Sequence, residues 1–215
     1  VESTLQAYLA SISYADSLLG QVLDTLESSD HADNTIIVFW SDHGYGHGEK
    51  GNWGKHTLWQ RTSNVPFLWA GPGIKKDAKT EYTATLIDMY PTLASMCSLP
   101  KDPEHDGQSL ESVLKSPSQS GSRSVLLPHD HPGSYAIINR DWRYIYYKDG
   151  TEELYDLKAD FHEWNNLAGN IEYEGIKKEL KAQAPESFAP EATSKKTLKM
   201  VTDGDSFRWI SKKKN

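Results

Sequence analysis

The sequence predicts an α/β chain that runs into a small antiparallel sheet with a helix, and three observations carry that reading. Leu5, Leu9, Ile12, Leu19, Val22, Leu23 and Leu26 recur mostly at three- and four-residue steps, the spacing of one helix face, over about the first 27 residues. Two apolar runs, Ile36-Ile37-Val38-Phe39-Trp40 and Val65-Pro66-Phe67-Leu68-Trp69-Ala70, are each closed by turn-forming sequence, as strands are. Beyond residue 118 the apolar runs become short, β-rich and separated by turn signals.

The first helix is expected to pack on a sheet, and Ser28-Ser29-Asp30 with Asp33-Asn34 make a short helix-to-strand connection. Ile36 to Trp40 reads as a buried strand, which puts Asp42 and His43 at its carboxyl end, where open α/β sheets bind ligands. The long loop before Val65 is rich in tryptophan and glycine, as an ordered active-site loop is. Leu86, Met89, Leu93 and Met96 have core-facing helical spacing, and Ser109 reads as a helix start rather than a nucleophile.

Lys115 to Ser122 is small, polar and turn-forming, so a boundary falls there: residues 1–118 form the α/β part and residues 119–185 a small α+β subdomain. Ser124 to Leu127, Tyr135 to Ile138 and Trp142 to Tyr147 are its strands, with turns at Asn139-Arg140-Asp141 and Lys148-Asp149-Gly150. A helix over Glu172 to Ala182 follows. Residues 186–215, with Pro190 and few apolar residues, read as an extended tail.

Of the 215 residues, 37% are apolar and 25% charged, an ordinary composition for a globular protein. The net charge is −7, and the basic excess is confined to residues 186–215, so the body is acidic. That excludes a nucleic-acid groove, which needs clustered positive charge. No apolar stretch approaches the roughly 20 residues of a membrane span, and Val1-Glu2-Ser3-Thr4-Leu5 lacks the features of a secretory signal. The single Cys97 excludes an intrachain disulfide and reads as a buried structural thiol.

Ser41 to Trp59 concentrates the chemistry. The strand ends in Asp42-His43-Gly44; Gly48-Glu49-Lys50 follows; Lys55 lies thirteen residues after Asp42, and Thr57-Leu58-Trp59 closes the segment. These residues and spacings resemble the sulfatase family, particularly its iduronate sulfatase and choline sulfatase-like branch. Ile87-Asp88-Met89-Tyr90-Pro91-Thr92-Leu93, Asp106-Gly107-Gln108-Ser109-Leu110, Glu153-Leu154-Tyr155-Asp156 and Asp160-Phe161-His162-Glu163-Trp164-Asn165-Asn166-Leu167 extend the resemblance to about Ala168, with Phe161 in place of the family proline. It implies the C-terminal part of an alkaline-phosphatase-like domain, and in most members an extracytoplasmic location: periplasmic, secreted or lysosomal.

The resemblance assigns Asp42 and His43 to a divalent cation, Ca²⁺ first and Mg²⁺ second, and Lys55 to the sulfate as a catalytic and binding residue. An anionic sulfate ester repels nucleophiles and has a poor leaving group, so positive charge and a proton donor are what a catalyst must supply. Opposite unit charges about 4 Å apart attract by roughly 4 kcal/mol at an effective dielectric near 20. Asp42 is a hard oxygen ligand; His43 is softer and could instead orient Asp42. The bland alternatives are a capped turn for Asp42-His43 and an exposed loop lysine for Lys55. Among the loop histidines His47, His56, His129 and His131, His56 ranks first as a substrate contact because it adjoins Lys55, with packing or solvation as the alternative. His129-Asp130-His131 could resemble a metal pair, but no third ligand stands at zinc-site spacing.

Sulfatases of this kind make their nucleophile, formylglycine, from a Cys or Ser in Cys/Ser-X-Pro-X-Arg. That motif is absent here, and Cys97-Ser98-Leu99-Pro100-Lys101 does not supply it. The nucleophile and the other metal ligands are therefore expected upstream, outside this chain, which reads as a fragment whose partners are a sulfated carbohydrate and the missing N-terminal part. The alternatives are a phosphatase or phosphodiesterase of the same superfamily with a Ser or Thr nucleophile, and a non-catalytic glycan-binding relative.

Overall fold

In the computed structural model, residues 2–119, 121–190, 198–204 and 206–211 are described, and the chain divides into two units, Val1–Ala184 and Pro185–Asn215. The first unit opens with helix α1 (Glu2–Glu27). Its apolar stripe is present, yet none of its residues is buried and Leu9, Ile12 and Val22 are each more than half exposed. Tyr8 makes ring contacts outside the helix, with Tyr45 and His47. The expected packing on a sheet is thus corrected, and the reason lies in the sheet itself.

Strand β1 (Ile37–Trp40) leads to a short ribbon of β2 (Gly46–His47) and β3 (Trp53–Gly54), a one-turn helix α2 (Gln60–Ser63) and strand β4 (Phe67–Ala70). Among the described residues β1 pairs only with β4, antiparallel, with Ile37 opposite Ala70 and Trp40 opposite Phe67. Two strands offer too little surface to bury a helix and both of their own faces. Phe39 and Trp40 are accordingly exposed, which corrects the expectation of a buried strand.

Helix α3 (Met89–Met96) begins from the buried Asp88, whose carboxylate accepts the Thr85 N–H at 2.9 Å and the Gln108 N–H at 2.8 Å and pairs with Arg123 at 3.0 Å. Thr92 donates to the Asp88 carbonyl and accepts the Leu110 N–H, so the two family-like segments form one joint. A side chain on Gly107 would stand 2.0 Å from the Ile87 carbonyl oxygen, which explains the glycine. Ser109 Oγ accepts the Glu111 N–H ahead of helix α4 (Glu111–Lys115), as a helix start should. Cys97 is exposed rather than buried: it caps the end of α3, where Ser98 turns the chain away with φ 55°.

Strands β5 (Val125–Pro128), β6 (Tyr135–Ile138), β7 (Trp142–Tyr146) and β8 (Glu152–Asp156) form an antiparallel meander in that order, and helix α5 (Glu174–Lys181) packs against β6 and β7. The sheet's Ala136, Ile145 and Tyr155 share one core cluster with Leu58 from the loop before α2. The meander therefore serves as the floor on which the site loop sits.

In the second unit, β9 (Leu198–Asp203) and β10 (Ser206–Ser211) form a hairpin with Ser206 opposite Asp203. This corrects the extended-tail expectation for part of residues 186–215. The overlooked signal was Gly204, which at φ 59° opens the two-residue connection between Asp203 and Ser206.

Candidate active site

The end of β1 is shaped by a close backbone approach. Ser41 Oγ donates to the His43 carbonyl, the His43 N–H donates to Asp42 Oδ1 at 3.0 Å, and the Gly44 N–H donates to the Thr62 carbonyl at 2.8 Å. A Cβ on Gly44 would lie 2.2 Å from the Arg61 carbonyl oxygen, so the third residue of Asp-His-Gly must be glycine for the strand end to meet α2.

His43 Nδ1 is 2.8 Å from the Gly44 carbonyl oxygen. A carbonyl only accepts, so Nδ1 carries the proton and Nε2 offers its lone pair. Lys55 Nζ donates to that Nε2 at 2.7 Å, and Asp42 Oδ2 lies 3.5 Å from the same atom. Asp42, His43 and Lys55 thus converge from two ends of the loop. All three line one cavity of about 610 Å³, together with His56, His129 and Asp130. His56 stands at the rim with Nδ1 3.7 Å from Asp130 Oδ2, and most of its side chain is exposed. His47 lies outside that cavity, among the rings of Tyr8, Tyr45 and Trp53.

Several residues of the segment are anchors. Glu49 accepts the His47 N–H at 2.6 Å and pairs with Arg61 at 2.6 Å; burial raises its carboxyl, and these partners outweigh burial to hold it below the usual range. Lys50, at φ 51°, lays its ammonium over the rings of Tyr155 and Trp59, 4.2 and 4.6 Å from their centroids, and donates to Tyr155 Oη. Burial pulls its pKa down. Glu153 gathers Trp59 Nε1 at 2.7 Å and the hydroxyls of Tyr155 and Tyr147. Burial pushes the Tyr155 phenol up, so it stays a donor.

Beneath α2 lies a buried pair, Arg143 and Glu163, 2.7 Å apart. Arg143 donates to the Leu58 carbonyl at 2.7 Å and to Ser63 Oγ at 2.9 Å, while Glu163 accepts the Gln60 N–H. Burial pushes the Glu163 carboxyl up, opposed by the Arg143 charge. Sequence reasoning did not single out this pair, Lys50, Glu153 or Trp59. Their signal was the repetition of the family-like segments in the C-terminal subdomain, which carry Glu153, Tyr155 and Glu163.

Asp42 and His43 suit a divalent cation. Asp42 Oδ2 and His43 Nε2 lie 3.5 Å apart on the cavity and are donor types that such an ion takes, but Lys55 Nζ holds the Nε2 lone pair at 2.7 Å, so His43 would ligate an ion only with Lys55 turned away. An ion of six or more ligands would take its others from outside this pair.

Residues 2–98 match the Sulfatase family model. A sulfatase of Formosa agariphila is 38% identical over 185 residues, which cover 86% of this chain and 36% of that protein. The chain belongs to the sulfatase family, with its alkaline-phosphatase-like α/β fold. Choline-sulfatase of Rhizobium meliloti is 36% identical over 177 residues, 79% of this chain and 34% of that one. A structure solved in complex with its substrate, D-glucosamine-2-N,6-O-disulfate, superposes with a TM-score of 0.72 at 30% identity, covering 81% of this chain and 38% of that one. The chain spans about a third of the length of these curated relatives. Among the described residues, no helix is long and apolar enough to cross a membrane.

Proposed function

We propose that this chain is the C-terminal part of an extracytoplasmic sulfatase that hydrolyses sulfate esters of a carbohydrate, with the nucleophile outside the chain. The observation that carries the reading is the convergence of Asp42, His43 and Lys55 on one cavity. The exposed apolar faces of α1 and β1 fit it too, since further strands of an α/β sheet would cover them. The glucosamine disulfate complex supports a sugar substrate.

Asp42 and His43 would hold the cation, Ca²⁺ first, and Lys55 would meet the sulfate and donate to the leaving oxygen. His56, at the rim, would contact the sugar. When bound, the cation would supply Lewis acidity at the sulfate and the formylglycine hydrate an oxygen nucleophile. The chain's own residues then place positive charge where negative charge develops, which is where such donors act. Gly44 and the Arg143–Glu163 pair hold that arrangement. The test is sulfate release from a sulfated hexosamine by the complete enzyme, with and without a chelator. Hydrolysis of phosphate esters in preference to sulfate esters would overturn the reading.

A further inference from the structure

On another wall of the cavity, ligand-type atoms converge without a role in this chemistry. The turn between β5 and β6 carries His129-Asp130-His131-Pro132-Gly133-Ser134. The His129 N–H donates to the Ser134 carbonyl at 3.0 Å, the Ser134 N–H donates to the His131 carbonyl at 3.1 Å, and Gly133 makes the reversal at φ 92°. Ser134 Oγ also accepts the Lys148 N–H, which ties the turn to the neighbouring hairpin. The backbone that carries the three side chains is thereby fixed.

One ligand atom from each of His129, Asp130 and His131 lies within 4.8 Å of the others. His129 Nδ1 is 2.6 Å from Asp130 Oδ1 and 3.1 Å from the His131 amide nitrogen. One imidazole nitrogen cannot both donate to the carboxylate and accept from the amide, so only one of these contacts is a hydrogen bond. The two rings stack with centroids 5.2 Å apart. From the facing loop, His56 brings a third imidazole to 3.7 Å from Asp130 Oδ2. Spacing along the sequence could not reveal it, because His56 stands 73 residues before His129.

We propose that His129, Asp130 and His131 bind a borderline divalent transition-metal ion, zinc in the first place. Imidazole nitrogens with one carboxylate suit zinc, copper or nickel, whereas the calcium and magnesium ions proposed for the Asp42 site prefer oxygen. Three protein ligands with an exchangeable fourth leave an ion free to receive a substrate group. The ion would add positive charge to the cavity that Lys55 also lines, where a second anionic or hydroxyl group of the substrate would meet it.

The test is calorimetric titration of the 215-residue chain with Zn²⁺, backed by the visible absorption of Co²⁺ as the replacement ion. One equivalent of zinc is expected, weakened on the order of tenfold or more by His131→Ala and by His129→Ala, and unchanged by Asp42→Ala. His131 is exposed, so His131→Ala keeps the test valid if His129→Ala fails to fold. Absence of zinc uptake, or uptake that survives His131→Ala and is lost in Asp42→Ala, would overturn the proposal. Neither result touches the sulfatase reading, which is measured on sulfate release.

Discussion

Glu163 accepts the backbone N–H of Gln60 at 2.9 Å across 103 residues of sequence, and so caps a helix that begins directly after the site loop. Its other oxygen faces Arg143, which holds the Leu58 carbonyl. Removing one partner of such a pair strands a buried charge, so Glu163→Ala is expected to cost about 3–5 kcal/mol in urea unfolding. Replacing both partners with apolar residues of similar volume should recover much of that loss. An unchanged urea midpoint for Glu163→Ala would show that the pair does not support the loop.

Glu152 gives a pH prediction. Burial raises its carboxyl, but hydrogen bonds from Tyr144, Lys181 and Lys177 outweigh that and pull it from 4.5 to about 2. A depressed carboxylate contributes stability that is fully present above the unfolded value and is lost as pH falls through the folded one. Glu152→Gln is therefore expected to destabilise by on the order of 2 kcal/mol near neutrality, with partial exposure discounted, and by progressively less between pH 4.5 and 2. Chemical unfolding across that range measures it; a pH-independent difference would refute the assignment.

What the sequence made legible depended on how local each feature is. The end of β1 with Asp42 and His43, the hairpin strands after residue 124 and the helix through Met89, Leu93 and Met96 are short-range patterns, and each stands where periodicity and turn signals put it. Burial was not legible, because it depends on neighbours: β1 looked buried by composition but has a single partner strand among the described residues. The anchors were hidden for the same reason. Trp59 meets Glu153 across 94 residues and Lys50 meets Tyr155 across 105, distances no spacing argument covers.

Asp42 is the carboxylate at the end of β1 whose free oxygen opens on the cavity. In the complete enzyme, Asp42→Ala is expected to remove bound cation and nearly all sulfatase activity, with charge reversal to Lys worse than neutralisation. Elemental analysis of the purified variant checks it, and full metal occupancy would sink the ligand assignment.

The 215-residue chain by itself is expected to show no arylsulfatase turnover, because no Cys/Ser-X-Pro-X-Arg sequence occurs in it to yield formylglycine. Added calcium or magnesium should not help. Metal-dependent hydrolysis of a chromogenic aryl sulfate by the purified chain would overturn the placement of the nucleophile elsewhere.

Lys55 is held 2.7 Å from His43 Nε2 by a loop clamped at both ends, at Gly44 and at α2, so its ammonium is already aimed at the cavity before substrate arrives. A preorganised donor of that kind acts where charge develops as the sulfur–oxygen bond breaks, and therefore on turnover more than on binding. Losing one typically costs about 10²- to 10³-fold in kcat. In the complete enzyme Lys55→Ala should show that loss with a near-normal thermal unfolding curve, because the loop is anchored by Lys50, Trp59 and Glu49 instead. Lys55→Arg keeps the charge but changes the reach and the donor geometry, and should recover only part of the rate. If Lys55→Ala kept kcat within a few-fold, Lys55 would be an ordinary loop lysine and the site would reduce to Asp42 and His43.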